Sequence, residues 1–462
     1  MRERYHAGYV TLLAGVAALG GLLFGYDWVV IGGAKPFYES FFRLTSAAQI
    51  GWANSCALLG ALLGSAFSGA AADRFGRKRL LIGAATLFTV SSVFTGWAPA
   101  FPAFVLWRIA GGVAIGIASN ISPVYIAEIS PAPWRGRLVS LNQMTIVIGI
   151  LSAQIVNWLI AQPVSSGANA EMIRESWNGQ FGWRWMFTAV AVPALIFLAG
   201  SLFVPESPRW LALRGRKDGA RRTLARIGGE LYAEAALADI FSTAEPHARE
   251  NWRAQLLAPG MRRILGVGVI LAALQQWTGI NVIFNYAEEI YRNAGYGVSD
   301  VLFNIVITGT VSLAATFVAL GFVDRVGRRP IMLAGCASIG LCHLLIGLAY
   351  HFGLKGMPVL ACTLGAIFCY AMSLAPVTWV LISEIFPNRI RGAAVSVSVS
   401  ALWIACFALT FTFPSLNAGL GPAKTFWVYA GICFAGFAFV FTRVSETKGK
   451  TLEQIEREYV GK

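Results

Sequence analysis

The sequence predicts an all-α membrane protein with twelve transmembrane helices in two six-helix repeats and short cytoplasmic helices between the halves. Three observations support this fold class: the composition, a succession of apolar segments of membrane-spanning length, and paired motifs in the two halves. Of the 462 residues, 56% are hydrophobic and 13% are charged. Soluble domains carry about 25% charged residues, so the composition excludes a soluble enzyme, a disordered protein and a disulfide-stapled secreted domain.

Apolar segments follow one another along the whole chain. A helix needs about 20 residues to cross a bilayer, and backbone groups inside lipid must be paired within the segment, which leaves helices as the element at these lengths. Gly60, Gly64 and Gly69 have the spacing of small residues that lets membrane helices approach closely. The predicted spans are 9–32, 47–71, 80–98, 101–126, 138–160, 185–204, 262–291, 300–322, 331–351, 358–383, 392–416 and 424–442.

The basic residues predict the orientation in the membrane. With the N-terminus in the cytoplasm, 29 of the 37 Lys and Arg residues lie in cytoplasmic segments, seven lie in outer loops and Arg108 lies inside a span. The positive-inside rule then places both termini in the cytoplasm. The net charge of +14 therefore reflects topology, and no nucleic-acid partner is expected. The seven cysteines lie in apolar stretches without a C-x-x-C pair, so no disulfide framework or metal site is expected.

Paired motifs indicate an internal repeat. DRFGRKR at 73–79 recurs as DRVGRRP at 324–330, and EISPAPWRGR at 128–137 recurs as EIFPNRIRGA at 384–393. Because each half has six spans, both halves run in the same direction through the bilayer. The predicted domains are an N-terminal six-helix half, a cytoplasmic helical linker, a C-terminal six-helix half and a cytoplasmic tail, at 1–204, 205–261, 262–443 and 444–462.

The motif set resembles that of the sugar porters of the major facilitator superfamily. The two D-R-x-G-R loops are typical of the superfamily, whereas PESPRWL (205–211), QQWTGIN (275–281) and ETKGKTLEQIE (446–456) together narrow the likeness to sugar porters. Within that family the chain resembles the bacterial proton-coupled sugar symporters, and the likeness covers essentially the whole chain. The resemblance implies alternating access, a monosaccharide and a proton as partners, no cofactor, and a monomer in the inner cell membrane.

Asp27 and Arg108 are predicted to form an intramembrane ion pair that couples a proton to transport. Ionisable residues inside a span are costly and are functional candidates. Each of the two lies about 8–10 Å below the outer surface by helical rise, one on the first span and one on the fourth. The protonation of a carboxylate responds to water access and to the distance of a cation, as coupling requires. A static pair that only joins the two spans remains the alternative.

Amide and aromatic side chains within the spans predict a sugar site. Amides both donate and accept hydrogen bonds, which suits sugar hydroxyls, and an aromatic face suits the C–H surface. Gly279 is expected to relax the seventh span so that the amides on either side face one cavity, and Phe24 is expected to link the sugar to Asp27. The alternative for any one amide is interhelical packing. By resemblance, the sugar-contacting positions are Gln143, Gln275, Gln276, Asn281, Trp379 and, although packing is the likelier role for it, Trp403.

Four positions depart from the family pattern. They are Asn285, Ser312, Ile150 and Leu402. Because these positions bear on the shape and hydrogen bonding of the cavity, the sequence names no particular sugar.

Charged residues at the cytoplasmic ends of the spans are predicted to form a gate. A Glu and an Arg recur seven residues apart after the fourth and tenth spans, and the D-R-x-G-R loops add further charges. Cross-pairs among these groups, where the two halves meet, would form when the cytoplasmic side is shut and break when it opens. The gate residues are Asp73, Arg77, Glu128, Arg135, Asp324, Arg328, Glu384 and Arg391. On the outer side, Tyr286 and Tyr291 are expected to cover the mouth, and Glu288 and Glu289 are expected to be solvated.

The predicted function is proton-coupled symport of a monosaccharide, a pentose or a hexose. Uncoupled facilitated diffusion and a non-transporting sugar sensor are the alternatives. An enzyme is not expected, because the chain has no nucleophile–base pair, phosphate loop or metal-ligand spacing around its four histidines.

Overall fold

Helices form all the regular secondary structure in the described part of the chain, as the sequence predicts. The computed structural model describes residues 5–164, 169–243, 259–386, 391–448, 450 and 454. The other parts of the predicted linker and tail lie outside these residues, and so do the side chains of the predicted gate residues Asp324 and Arg391.

The described residues of the first repeat form eight helices and one π-helical turn. Several exceed the predicted spans, and α1 continues ten residues beyond its predicted end at 32. The last predicted span, 185–204, is two helices interrupted between Thr188 and Ala191. The elements are α1 Ala7–Phe42, α2 Ala47–Phe75, α3 Arg77–Gly96, α4 Phe101–Ile129, α5 Ala132–Ile160, α6 Ala170–Glu175, the π-helix Asn178–Gly182, α7 Trp183–Thr188 and α8 Ala191–Phe203.

Two helices of the predicted linker follow the first repeat. α9 spans Pro208–Leu213, and the Ser207 side chain caps it by accepting a hydrogen bond from the backbone N–H of Trp210. α10 spans Lys217–Thr243 and is kinked at Gly229. The expected helical character of this segment is thus confirmed for its described residues.

The helices of the second repeat are broken inside two of the predicted spans. The seventh span is interrupted after Trp277 and at Tyr286, and the tenth at Ser373, whereas the non-helical backbone of Gly421 lies between the last two predicted spans. The helices are α11 Pro259–Trp277, α12 Ile280–Asn285, α13 Ala287–Asn293, α14 Val298–Val326, α15 Arg328–His351, α16 Met357–Met372, α17 Leu374–Glu384 and α18 Arg391–Arg443.

The number of membrane-spanning segments agrees with the prediction once the long last helix is divided. Within the described residues, 11 helical segments are long and apolar enough to cross a membrane. The last of them, Ala393–Arg443, has 51 residues and contains the non-helical backbone of Gly421. It therefore covers both of the last two predicted spans, which gives twelve crossings.

Small residues bring α2 and α4 into backbone contact. A Cβ on Gly60 or Gly64 would lie about 2 Å from a carbonyl oxygen of α4, at 2.1 Å from Ile109 and 2.2 Å from Val113. These two glycines therefore confirm the predicted close approach. Gly69 does not take part, because no atom lies within 4 Å of the place a Cβ would occupy.

The structure divides into two compact units. The first comprises Met1–Val30, Leu59–Ala153 and Arg184–Glu250. The second comprises Ile31–Leu58, Gln154–Trp183 and Asn251–Lys462, so the C-terminal part of α1 belongs to the same unit as the helices of the second repeat. The sequence boundaries of the halves and the linker stay a prediction.

Candidate functional site

Asp27 and Arg108 form a buried ion pair in the first unit. Asp27 comes from α1 and Arg108 from α4, and they are 4% and 3% exposed. The Arg108 Nη1 atom lies 2.9 Å from both carboxylate oxygens of Asp27. The ring of Phe187 lies 5.4 Å from the guanidinium carbon, which adds a cation–π contact. The structure therefore brings together the two side chains that the charge pattern singled out.

Two further predicted site residues belong to the first unit. Phe24 lies on α1 one helical turn before Asp27, is half-buried, and makes an edge contact with Trp28 at 5.8 Å between ring centroids. Gln143 lies on α5 and is also half-buried. Both side chains thus keep part of their surface exposed.

The amides of the second unit form a continuous hydrogen-bonded chain. Gln276 donates from Nε2 to the Gln275 side-chain oxygen over 3.1 Å, and Asn281 donates to the Gln276 side-chain oxygen. Gln275 donates in turn to the carbonyl oxygens of Leu374 and Ala375, both at 3.3 Å. These carbonyls lie at the start of α17, directly after the break at Ser373. Three predicted sugar-binding amides are therefore adjacent and buried.

Gly279 allows this arrangement by breaking the helix between the amides. Its backbone is left-handed, with φ +82°, which a residue with a side chain rarely adopts. The break frees the carbonyl oxygen of Thr278, and the buried His343 donates to it from Nε2 over 2.6 Å. The ring nitrogen is the donor because a carbonyl oxygen only accepts. The expected relaxation at Gly279 thus takes the form of a full interruption, and His343 is a supporting residue that its sequence position did not reveal.

The two predicted aromatic residues differ in exposure. Trp379 on α17 is 40% exposed, whereas Trp403 on α18 is 3% exposed. Asn285 and Ser312, two of the departures from the family pattern, are buried as well. Of these two predicted aromatic residues, Trp379 is therefore the one with an exposed ring surface.

The described gate residues pair within each repeat. In the first unit Arg77 lies 3.0 Å from Glu128 and 3.4 Å from Asp73. In the second unit Arg328 lies 3.4 Å from Glu384. Arg135 is exposed, and no ion pair joins it to the residues described.

A carboxylate caps the loop of each repeat at an equivalent place. Glu206 Oε1 accepts the backbone N–H groups of Arg77 and Lys78 at 2.8 and 3.1 Å. Glu446 accepts those of Arg328 and Arg329 at 3.0 and 3.1 Å. Since PESPRWL and ETKGKTLEQIE supply these residues, the two motifs stabilise the first turns of α3 and α15.

The structure contains a buried charge cluster that the sequence did not predict. Lys35 belongs to the residues assigned to outer loops, but it lies in α1 and is 2% exposed. Its Nζ atom lies 3.5 Å from a carboxylate oxygen of each of three residues, Glu39, Glu288 and Glu289. The expectation that Glu288 is solvated is therefore wrong. The signal was the continuous apolar run from 29 to 34, which places Lys35 on the same helix as Asp27.

Comparison with known proteins agrees with this architecture. A family model described as sugar (and other) transporter matches residues 13–459. The D-xylose-proton symporter of Escherichia coli (strain K12) is 35% identical over 99% of this chain and 97% of that protein. The glucose transport protein of Synechocystis sp. is 40% identical over 97% of each chain.

A solved structure has the same fold. The inward-open conformation of the xylose transporter XylE from E. coli matches with a TM-score of 0.85 and 34% identity, over 97% of this chain and 100% of that one. Twelve spans in two repeats, the paired loops and these likenesses lead to one conclusion: the chain has the major facilitator fold and belongs to the sugar transporter family.

Proposed function

We propose that this protein carries a monosaccharide together with a proton across the inner cell membrane by alternating access. The observation that carries the proposal is the buried pair of Asp27 and Arg108. Burying two charges in a membrane helix bundle is costly, and a titratable carboxylate beside a fixed cation gives a transporter a group that can take up and release a proton. The relatives named above are transporters, so an enzymatic reaction is not part of the proposal.

The coupling step changes the charge of Asp27. When the carboxylate is ionised, it is held by Arg108 at 2.9 Å. A proton on the carboxylate removes the charge and weakens the attraction between α1 and α4. Phe24, one turn away on α1, is proposed to link sugar binding to Asp27. Sugar binding at Phe24 and protonation of Asp27 then both act on α1 and together shift the equilibrium between conformational states. Cotransport requires such a shared equilibrium.

The proposed sugar-binding residues are polar and aromatic. The amide chain of Gln275, Gln276 and Asn281 offers paired donors and acceptors, and Trp379 offers an exposed ring. Gln143 and Trp403 complete the proposed set. The substrate class is a pentose or a hexose, because similar proteins are named for xylose and for glucose.

The orientation and gating follow from the charges. Both termini lie in the cytoplasm, because 29 of the 37 basic residues then face that side. The pairs of Arg77 with Glu128 and of Arg328 with Glu384 lie at the cytoplasmic ends of the spans, where a gate must open and close. The proposed unit of transport is a monomer.

Uncoupled facilitative transport is the alternative. It is favoured by the close contact of Arg108 with both oxygens of Asp27, since a purely structural ion pair has this geometry too. Purified protein in proteoliposomes tests the choice, with uptake of a panel of pentoses and hexoses measured with and without an imposed pH gradient. Accumulation that requires the gradient supports symport. Equal uptake in both conditions supports facilitated diffusion, and no uptake of any sugar contradicts the function.

A further inference from the structure

Lys35 is a fully buried cation surrounded by acidic groups of two sequence-distant helices. It lies on α1, eight residues after Asp27, and its Nζ atom is 3.5 Å from Glu39 on the same helix. It is also 3.5 Å from Glu288 and from Glu289 on α13. The side chain of Lys35 is 3% exposed and that of Glu288 is 2% exposed. This ion pair therefore joins the first repeat to the second, within the second unit.

The neighbours of this cluster hold its charges in place. Arg292 pairs with Glu288 from the exposed side at 3.1 Å. The Tyr286 ring lies 5.6 Å from the Lys35 ammonium, and Asn417 donates to Glu289 over 2.5 Å. Every carboxylate of the cluster thus forms an ion pair with a basic side chain or accepts a hydrogen bond.

The backbones of the two segments also meet at this point. Gly32, one helical turn before Lys35, faces α12 so closely that a Cβ on it would lie 2.6 Å from the carbonyl oxygen of Phe284. Residues three apart share one face of a helix. Lys35 therefore reaches its partners from the face of α1 that contacts the broken helix carrying Asn281.

We propose that Lys35 is a positioning residue that latches the outer end of α1 to α13 and so stabilises the state in which the outer ends of the two repeats are together. The inference rests on the proposed function, since alternating access separates these ends once in each transport cycle. Breaking a buried ion pair leaves uncompensated charge, so the latch favours the joined state strongly. Because Lys35 and Asp27 lie on one helix, the latch acts on the element that carries the proton site.

Removal of the latch shifts the protein towards the state with separated outer ends. In Lys35→Met three carboxylates remain close together without their shared cation, and their repulsion drives α1 and α13 apart. The amides of α13 then exchange with solvent more readily, because local opening controls exchange. External sugar binds more tightly as well, because a larger fraction of the protein is already in the outward-facing state.

The test is hydrogen–deuterium exchange of the full-length purified protein in detergent, which needs no transport. We expect deuterium uptake at 34–42 and in α13 to rise at least about two-fold in Lys35→Met. The matched control is Arg43→Met, which removes the basic residue that directly follows the same helix. Arg43 is 67% exposed and pairs with the exposed Glu171 at 3.8 Å, so its loss leaves the uptake of α13 unchanged.

Exchanging the two charges distinguishes loss of the ion pair from misfolding of the protein. Lys35→Glu and Glu288→Lys each place like charges together and raise the uptake, whereas the double variant restores an opposite pair and returns uptake to within about two-fold of the native protein. Unchanged uptake in Lys35→Met, or an equal rise in Arg43→Met, overturns the latch. A double variant whose deuterium uptake is as high as that of the single variants also overturns the latch. If the native protein transports no sugar while these exchange results hold, the proposed function fails and the latch stands as a contact between the repeats.

Discussion

Arg108 places one guanidinium nitrogen 2.9 Å from both carboxylate oxygens of Asp27, and both side chains are buried in predominantly apolar helices. The two charges come from α1 and α4. Each charge therefore offsets the cost of burying the other, and the loss of one leaves its partner buried and unpaired.

Loss of Arg108 destabilises the folded protein more than loss of both charges. Arg108→Gln leaves the Asp27 carboxylate buried without a cation, which costs about 3–5 kcal/mol. The double variant Asp27→Asn with Arg108→Gln removes both charges and recovers most of this loss. Thermal and denaturant unfolding in mixed micelles measures the three proteins. A double variant as unstable as the single one contradicts the ion pair as an energetic unit.

Gln276 contributes to sugar affinity rather than to folding alone. It accepts from Asn281 and donates to Gln275, so Gln276→Ala disrupts the whole amide chain. We expect the dissociation constant of the transported sugar to rise roughly 10- to 100-fold, the effect of one or two lost hydrogen bonds. Isothermal titration or tryptophan fluorescence measures this constant.

The control for Gln276 is another amide within the helices. Asn120 on α4 donates to the Ser65 carbonyl oxygen at 3.1 Å and to Ser68 Oγ at 2.9 Å, so its role is to join α4 to α2. Asn120→Ala is expected to lower the unfolding temperature and to leave sugar affinity within about two-fold. Equal losses of affinity in both variants argue against a direct sugar contact by Gln276.

Gly279 cannot be replaced without strain. Its φ of +82° disfavours any side chain, and a Cβ there would lie 2.9 Å from Tyr429 Cγ and 3.1 Å from His343 Nε2. Gly279→Ala is expected to cost about 1–3 kcal/mol and to weaken sugar binding, because the amides on either side shift. Gly266→Ala on α11 is the matched control, since no atom lies within 4 Å of its new Cβ. Equal thermal stability of the two variants would contradict the need for this break.

The cap made by Glu446 depends on pH. Burial acts to raise the pKa of this carboxyl, but backbone N–H donors, including those of Arg328 and Arg329, outweigh it and hold the pKa below its ordinary value of 4.5. A lowered pKa in the folded state means that the ionised cap stabilises the protein above about pH 4.5 and that this contribution is lost as the pH falls through the lowered value.

Glu446→Ala is therefore expected to lower the unfolding temperature at pH 7, and its difference from the native protein is expected to shrink as the pH falls below 4.5. The exposed Glu230, which pairs with the exposed Arg221, supplies the control variant Glu230→Ala, for which little change is expected at either pH. A Glu446→Ala difference that stays constant from pH 7 to below 4.5 would remove the cap as the cause.

The fold was predictable because its signals are long and repeated. Apolar segments of fixed length, a strong asymmetry of basic residues and two copies of each loop motif all reflect constraints of the bilayer. The pairing of Asp27 with Arg108 could also be predicted, because charges inside spans are few and the helical rise gives the depth of each one in the membrane.

Side-chain surroundings were harder to predict, because they depend on where helices begin, end and meet. Lys35 was assigned to a loop because α1 was expected to end at residue 32, and Glu288 was expected to be solvated because its partner was not recognised. The role of His343 depends on a carbonyl oxygen that only the break at Gly279 makes available. None of these contacts has a sequence spacing that identifies it, since the partners are brought together by packing between distant helices.

Asp27→Asn in proteoliposomes tests proton coupling most directly. Asn has nearly the shape of Asp but cannot carry the proton, so exchange of labelled for unlabelled sugar across the membrane is expected to continue while accumulation driven by a pH gradient is lost. Accumulation of sugar by Asp27→Asn at the native level, under the same gradient, would contradict a role of Asp27 in coupling.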